Sequence, residues 1–271
     1  MRGKKSWIQP ECCDLNEQSL RKIQLISVEP SSSLCYNEGM KVTPREVKRK
    51  KVVTWSSEIR RLQKKLRLSP LQEAVLIGTV LGDGSLITNA YGKNYRLHIE
   101  HRDKLYVDWK YRIFKDWCLS GPRYRIKTRS WVFRTISHPA FTKFREIFYK
   151  NKKKIVPREL EDILKSPLSL AVWFMDDGGR LIDRKEKKGR GYLLNVQQFS
   201  LEEVELIQRV LRKNFALSST RQWNNTGYRL YFGRRSRDRL EEVIRKYILP
   251  SFFYKLSLDP VETQLLKRVG W

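Results

Sequence analysis

The stretch Leu170-Ala171-Val172-Trp173-Phe174-Met175-Asp176-Asp177-Gly178-Gly179 is an apolar run that ends in two carboxylates and a glycine pair. A weaker copy lies upstream, Leu76-Ile77-Gly78-Thr79-Val80-Leu81-Gly82-Asp83-Gly84. An apolar helix that leads into acid is unusual, because an unpaired carboxylate in a low-dielectric place is costly. Two such ends, each with an Asp just before a Gly, point to a site that needs a pair of anions. In a chain of net charge +27, anions held close together call for a divalent cation between them.

Working outward, each run is preceded by the same punctuation. Ser69-Pro70 and Ser166-Pro167 are helix-start signals, Ser as N-cap and Pro at the first helical position. Gly78 and Gly82 lie four apart on one helix face, a spacing that allows another backbone to approach closely. Beyond Asp83 the periodicity turns β-like from Ser85 to Glu100, interrupted at Asn89–Asn94, with Tyr95, Leu97 and Ile99 alternating with Arg96, His98 and Glu100. A helix follows, with Leu105, Trp109, Ile113 and Trp117 on one stripe. Gly121-Pro122 then opens a second hairpin, Arg123–Arg129 with Trp131–Ile136, and His138-Pro139 another helix that ends in Lys150–Lys154 and Ile155-Val156-Pro157.

After Asp177 the order repeats. A polar loop precedes a β-like segment, Tyr192 to Phe199; Ser200-x-x-Glu203 is a capping box; strands at Ser218–Trp223 and Tyr228–Gly233 flank an Asn224-Asn225-Thr226-Gly227 turn; and Ser236 opens a last helix that ends in Ile248-Leu249-Pro250. Asp83 to Pro157 spans 74 positions and Asp177 to Pro250 spans 73. Agreement in spacing, order and end motif identifies an internal repeat of about 94 residues. The expected organisation is a basic N-terminal extension (1–66), repeats at 67–164 and 165–258, and a tail (259–271). The predicted fold is α/β (α+β), two pseudo-symmetric αββαββα repeats with the two motif helices at a central interface.

Composition narrows the function. The 56 Lys+Arg against 29 Asp+Glu are spread along 271 residues, a balance that implies a polyanionic partner, nucleic acid first. Forty per cent hydrophobic residues and eight Trp indicate a folded chain. No apolar run approaches the ~18 residues of a membrane span, and the N-terminus lacks a secretory h-region. Cys12, Cys13, Cys35 and Cys118 include no C-x-x-C pair, which argues against a zinc site and for a reducing compartment: cytoplasm, nucleoid or organelle matrix. Lys48-Arg49-Lys50-Lys51 is the densest basic cluster, readable as a phosphate-contacting arm, a localisation signal or a solvated leader.

A pseudo-twofold axis between the repeats brings Asp83 and Asp177 together. Their repulsion calls for Mg²⁺ or Mn²⁺, which bind through one or two carboxylates plus water and phosphate. Metal between phosphate oxygens stabilises an in-line displacement, so the chemistry points to a phosphodiesterase that cuts both strands across a narrow groove. The hairpins offer rows for such a groove: Arg123, Arg125, Lys127 and Arg129; Gln197 and Gln198; Arg221, Gln222 and Arg229; with Arg96 and His98 on the first pair.

On these residues the chain resembles the LAGLIDADG homing endonucleases, the single-chain, two-motif type exemplified by I-SceI. Ser169-Leu-Ala-x-Trp-Phe-Met-Asp-Asp-Gly-Gly179 carries the resemblance, with Asp177 and Asp83 in the family's acidic position, over about Ser69 to Leu256. It implies a saddle that straddles DNA and cuts both strands of a long, asymmetric duplex site with bound divalent metal, working as a monomer. It also implies catalytic roles for Lys154 and Lys255, at different offsets from their prolines, and a metal site at Asp83 and Asp177 with Gly82 and Asp176 adjoining. Gly82 equally answers to packing, and Asp176 to a cap or an outer position, since adjacent helical side chains do not face each other. Splicing of intron RNA by a maturase, or DNA binding without cleavage, are the alternatives.

Overall fold

The computed structural model describes residues 57–88, 92–182 and 189–256; the Lys48–Lys51 cluster, Cys12, Cys13, Cys35 and the 259–271 tail lie outside them. The first repeat runs α2 (Pro70–Leu81), β1 (Ser85–Ile87), β2 (Arg96–His101), α3 (Lys104–Ile113), β3 (Arg123–Arg125), β4 (Ser130–Arg134) and α4 (Pro139–Phe148). The second runs α6 (Pro167–Asp177), β7 (Gly178–Ile182), β8 (Gly189–Asn195), α7 (Leu201–Phe215), β9 (Thr220–Trp223), β10 (Tyr228–Phe232) and α8 (Arg234–Ile244). Ahead of the first stands α1 (Ser57–Lys65); between them lie a small hairpin, β5 (Tyr149–Lys150) and β6 (Lys153–Lys154), and α5 (Leu160–Ile163).

The two sheets have one topology. Their antiparallel orders are β1-β2-β4-β3 and β7-β8-β10-β9, the same path in each repeat, so the duplication read from spacing is a duplication of fold. Leu86, Leu97, Ile99 and Phe133 of the first sheet and Tyr192, Leu194, Leu230 and Phe232 of the second turn towards the helices and are buried. The opposite face of the first sheet carries Arg96, His98, Glu100 and Arg134, the pattern of an antiparallel sheet with one face on a core, and that of the second mixes Asn195, Gln222 and Arg229 with Leu193 and Tyr231.

Between the sheets lie α2 and α6. Ala74 to Leu81 and Leu168 to Met175 are buried without interruption, and a helix apolar all round is one packed on every side. Both start as their punctuation predicts, although only Ser69 forms a capping box, with Gln72; Ser166 makes no side-chain cap bond and leaves the start to Pro167. The Ser200–Glu203 capping box also forms.

Several local expectations change. Arg123–Arg129 is not one strand: β3 stops at Arg125, Ile126–Thr128 makes a 3-10 turn, and Arg129 is left-handed at φ 49°. The Lys150–Lys154 run is not a helix end but the β5–β6 hairpin, turned by Asn151 and Lys152, both at positive φ, as two-residue hairpins require. Where a polar loop was expected after Asp177, β7 begins at once. β8 ends at Asn195 rather than Phe199, which leaves Gln197 and Gln198 on a turn. The last helix starts at Arg234, and Ser236 instead accepts the Ser218 N–H at 3.0 Å. Finally, α1 packs on the first repeat through buried Ile59, and Gln63 donates to the Ser137 carbonyl at 2.6 Å.

Candidate active site

The α2–α6 crossing is close because of its small residues. A Cβ placed on Gly78 would lie 2.3 Å from the Ser169 carbonyl oxygen and 2.7 Å from the Val172 Cβ. The Ser169 hydroxyl donates across the crossing to the Ala74 carbonyl at 2.8 Å. One turn further on, Gly82 faces Asp176, and there both helices end. Asp83 and Asp177 emerge into one cleft of about 340 Å³, lined also by Gly82, Lys154, Asn195, Gln197 and Gln198. Asp83 and Asp177, expected from the repeat to project together, both line this cleft.

The two lysines, unrelated by repeat spacing, sit at the two helix ends, Lys154 among the residues that line the cleft and Lys255 not among them. The Lys154 ammonium donates to the Gly82 carbonyl, the residue before Asp83. Lys255 donates to the Met175 carbonyl at 2.6 Å and more loosely to that of Asp176 at 3.4 Å, the residue before Asp177. Each thus places a cation at the C-terminal end of a motif helix, where the helix dipole favours one. Burial lowers both lysine pKa values, and the three aspartates oppose that shift. For Asp177 burial comes first, then Asp83 and Asp176, and together they push its carboxyl to about 7 despite Lys154 and a 3.2 Å hydrogen bond from the Trp173 indole.

Asp176 has a different place from the metal-adjoining one expected of it. Its side chain is 1% exposed and pairs with Lys110 of α3, whose Nζ lies 3.2 Å from Oδ1 and 3.3 Å from Oδ2. It also accepts the Asp83 backbone N–H at 3.3 Å. The donor set left facing the cleft is two carboxylates and hard amide and carbonyl oxygens. Among the described residues no three His, Cys, Asp or Glu side chains form a metal cluster. That set fits Mg²⁺ or Mn²⁺, which keep several waters and take one or two carboxylates, and does not fit an all-protein zinc or calcium cage.

The sequence profile of the LAGLIDADG DNA endonuclease family matches residues 73–240, which include both motifs and both sheets. The chain belongs to the LAGLIDADG family. It is 32% identical over 199 residues to a probable intron-encoded endonuclease 1 of Wickerhamomyces canadensis, a match spanning 71% of this chain and 86% of that protein. It is 30% identical over 199 residues to the cytochrome b mRNA maturase bI2 of Debaryomyces hansenii, spanning 68% and 72%. Among solved structures it resembles the homing endonuclease I-WcaI bound to its DNA recognition sequence, with 31% identity, a TM-score of 0.69, and coverage of 75% of this chain and 94% of that one.

The LAGLIDADG sheets sort the expected groove residues by register. On the first, Arg96, His98 and Glu100 share a face with Arg123, Arg125 and Arg134, since Ser85 pairs with His98, His98 with Arg134, and Arg125 with Ser130. Lys127 and Arg129 leave that row at the 3-10 turn. On the second, Arg229 pairs with Asn195 and with Gln222, so these three share a face, and Arg221 pairs with Leu230 on the helix side. The grouping of Arg221 with Gln222 therefore gives way: Arg221 forms an ion pair with Glu205 of α7 at 2.5 Å. Gln197 and Gln198 line the cleft rather than a strand face.

The sequence reading missed Lys110, Trp173, Arg134 and Asn195. Arg134 donates to His98 Nδ1 at 3.1 Å, and Glu100 gathers Arg125 at 2.8 Å and the Thr128 and Ser130 hydroxyls at 2.6 Å each. Continuing the strand alternation to β4 could have found Arg134. Nothing in the sequence marks Lys110.

Proposed function

We propose that this protein is a site-specific, divalent-metal-dependent double-strand DNA endonuclease. The observation that carries the reading is the cleft that Asp83 and Asp177 both line at the ends of paired helices, beside a sheet whose outer face is rich in arginine and a second whose outer face sets Arg229 among Asn195 and Gln222. Asp83 and Asp177 would hold Mg²⁺ or Mn²⁺. Once bound there, such an ion supplies counter-charge to the phosphate and lowers the pKa of water. The chain's own groups do the rest. Lys154 and Lys255 set positive charge beside the scissile phosphates, which favours a developing oxyanion. Asn195, Gln197 and Gln198 present amides that can orient a phosphate or an attacking water.

The partner on this reading is a long, asymmetric duplex, engaged by one monomer, since the two repeats offer different side chains to the two half-sites. Among the described residues no helix is long and apolar enough to cross a membrane. Cys118 is a free thiol whose pKa burial raises to about 12; a reducing compartment suits it. The likeness to a cytochrome b mRNA maturase favours a second reading, assistance in intron RNA splicing, on its own or beside cleavage.

The test is to incubate the full chain with a randomised linear duplex library in Mg²⁺ or in EDTA, and to sequence the ends. Breaks that recur at one asymmetric sequence only in Mg²⁺ are the expected result. Retention of duplex without breaks would remove cleavage, and preference for structured intron RNA would turn the assignment to splicing.

A further inference from the structure

The repeats differ at the residue before each acid: Gly82 in the first, Asp176 in the second. A Cβ on Gly82 would lie 2.5 Å from Asp176 Oδ2 and 2.6 Å from its Cβ, so the missing side chain of one repeat makes room for the carboxylate of the other. That carboxylate is an anion out of reach of water, between two further acids. Lys110, 2% exposed, is what compensates it. The Lys110 ammonium sits over the Tyr106 ring, 4.1 Å from its centroid, and the Tyr106 hydroxyl donates to the Val172 carbonyl of α6 at 3.3 Å. The Asp176 Oδ2, which Lys110 also reaches, accepts the Asp83 N–H. A chain of contacts therefore runs from α3 through Lys110 and Asp176 to the backbone of Asp83.

We propose that Lys110 and Asp176 are a positioning pair for the nuclease: they fix the Asp83 backbone, and so its carboxylate against that of Asp177, without touching metal or DNA. The inference rests on the endonuclease reading above. Buried ion pairs contribute little net stability against apolar substitutes, whereas loss of one partner leaves a bare charge. Register is the use that remains for a pair wedged between two helix ends. The pair is asymmetric. It holds the Asp83 N–H, while Asp177 carries a Trp173 hydrogen bond of its own. Its loss therefore bears more on the strand that Asp83 serves.

The experiment compares two variants that remove both charges together. Lys110→Met/Asp176→Leu deletes the acceptor for the Asp83 amide, and Lys110→Met/Asp176→Asn retains an oxygen there. Each is assayed on a supercoiled plasmid carrying a duplex selected by the wild-type protein, with duplex affinity measured in Ca²⁺ and cleavage in a Mn²⁺ series. The Leu variant should bind within about twofold of wild type but cleave one strand roughly 10- to 100-fold more slowly, the scale of an ångström-level misplacement. Nicked plasmid should accumulate and the half-saturating Mn²⁺ concentration rise, with partial recovery in the Asn variant. Wild-type strand rates and Mn²⁺ dependence in both variants would overturn the proposal, as would a parallel loss of affinity and both rates, the mark of a merely structural pair. Should the Leu variant fail to fold, Lys110→Met/Asp176→Ala, which also removes both charges and the acceptor, is held to the same outcomes. A wild-type protein that does not cut overturns the endonuclease reading itself, whereas variants equal to a cutting wild type overturn only the pair.

Discussion

Gly78 of the first motif helix and Ser169 of the second approach so closely that a single added carbon on Gly78 would meet the Ser169 carbonyl oxygen at 2.3 Å. A backbone oxygen cannot rotate away, so Gly78→Ala has to push the helices apart. The expected loss is about 1–3 kcal/mol, the usual cost of overpacking a filled interface. Gly82→Ala should also cost stability, though less, since it stands at the helix end, where the Asp176 Cβ that it meets at 2.6 Å can move back only with its backbone. Thermal unfolding of the two variants checks the order; an unchanged melting temperature for Gly78→Ala would mean that the crossing is looser than described.

Asp83→Asn and Asp177→Asn each take one carboxylate from the shared cleft. Double-strand cleavage should fall by roughly 100-fold or more in either variant, in the range of losing one charge-stabilising group. Duplex affinity should hold or rise, because an anion beside phosphates has been removed. Gel-shift titration beside plasmid linearisation separates the two effects. Wild-type cutting by the double variant would rule out this cleft.

The pH dependence of Asp177 has a definite sign. Its carboxyl titrates near 7 in the fold and near the ordinary 3.8 when exposed, so folding favours the protonated form. Stability linked to this group is fully present below about 4 and is lost as pH rises through about 7. In EDTA, Asp177→Asn should therefore gain in melting temperature over wild type between pH 4 and 8, with the gap widest at the top. Metal uptake runs the other way, since a ligand must shed its proton first. The half-saturating Mn²⁺ concentration should rise as pH falls from 8 to 6.

Arg125 and Arg221 look alike in the sequence, on strands of matching hairpins, but they sit on opposite sheet faces. Arg125→Ala should weaken duplex binding and reduce the slope of affinity against salt by about 1 if the residue meets one phosphate. Arg221→Ala should change neither, because it lies on the helix side of its sheet, opposite Leu230 and paired with Glu205, and exposed pairs contribute about 0–1 kcal/mol. Binding at several salt concentrations reads both variants.

The duplication, the motif helices and the Asp83–Asp177 pair were legible because each leaves a local signal: apolar runs, Ser-Pro starts and an acid before a glycine. Strand faces were legible where alternation survives, as at Arg96 and His98, and failed where a turn breaks it. Arg129 lies beyond such a break, in a left-handed conformation that composition does not announce. Arg221 was misread because phase in a four-residue strand depends on its partner, here Leu230 of β10. Lys154 reached its place through a turn at Asn151 and Lys152 that had read as a helix end. Lys110 was invisible for another reason. Beside Trp109, in a helix with other basic residues, it reads as one more solvated cation, and only the acid that it meets 66 positions away gives it a role.

The single seat that Gly82 leaves for Asp176 also means that the two halves of this chain have ceased to be interchangeable. A tandem of two first halves would leave that seat vacant, and a tandem of two second halves would drive a pair of carboxylates into the space of one. Neither half as it stands could therefore serve on both sides of the crossing, and a clearance of one atom's width assigns each repeat its place.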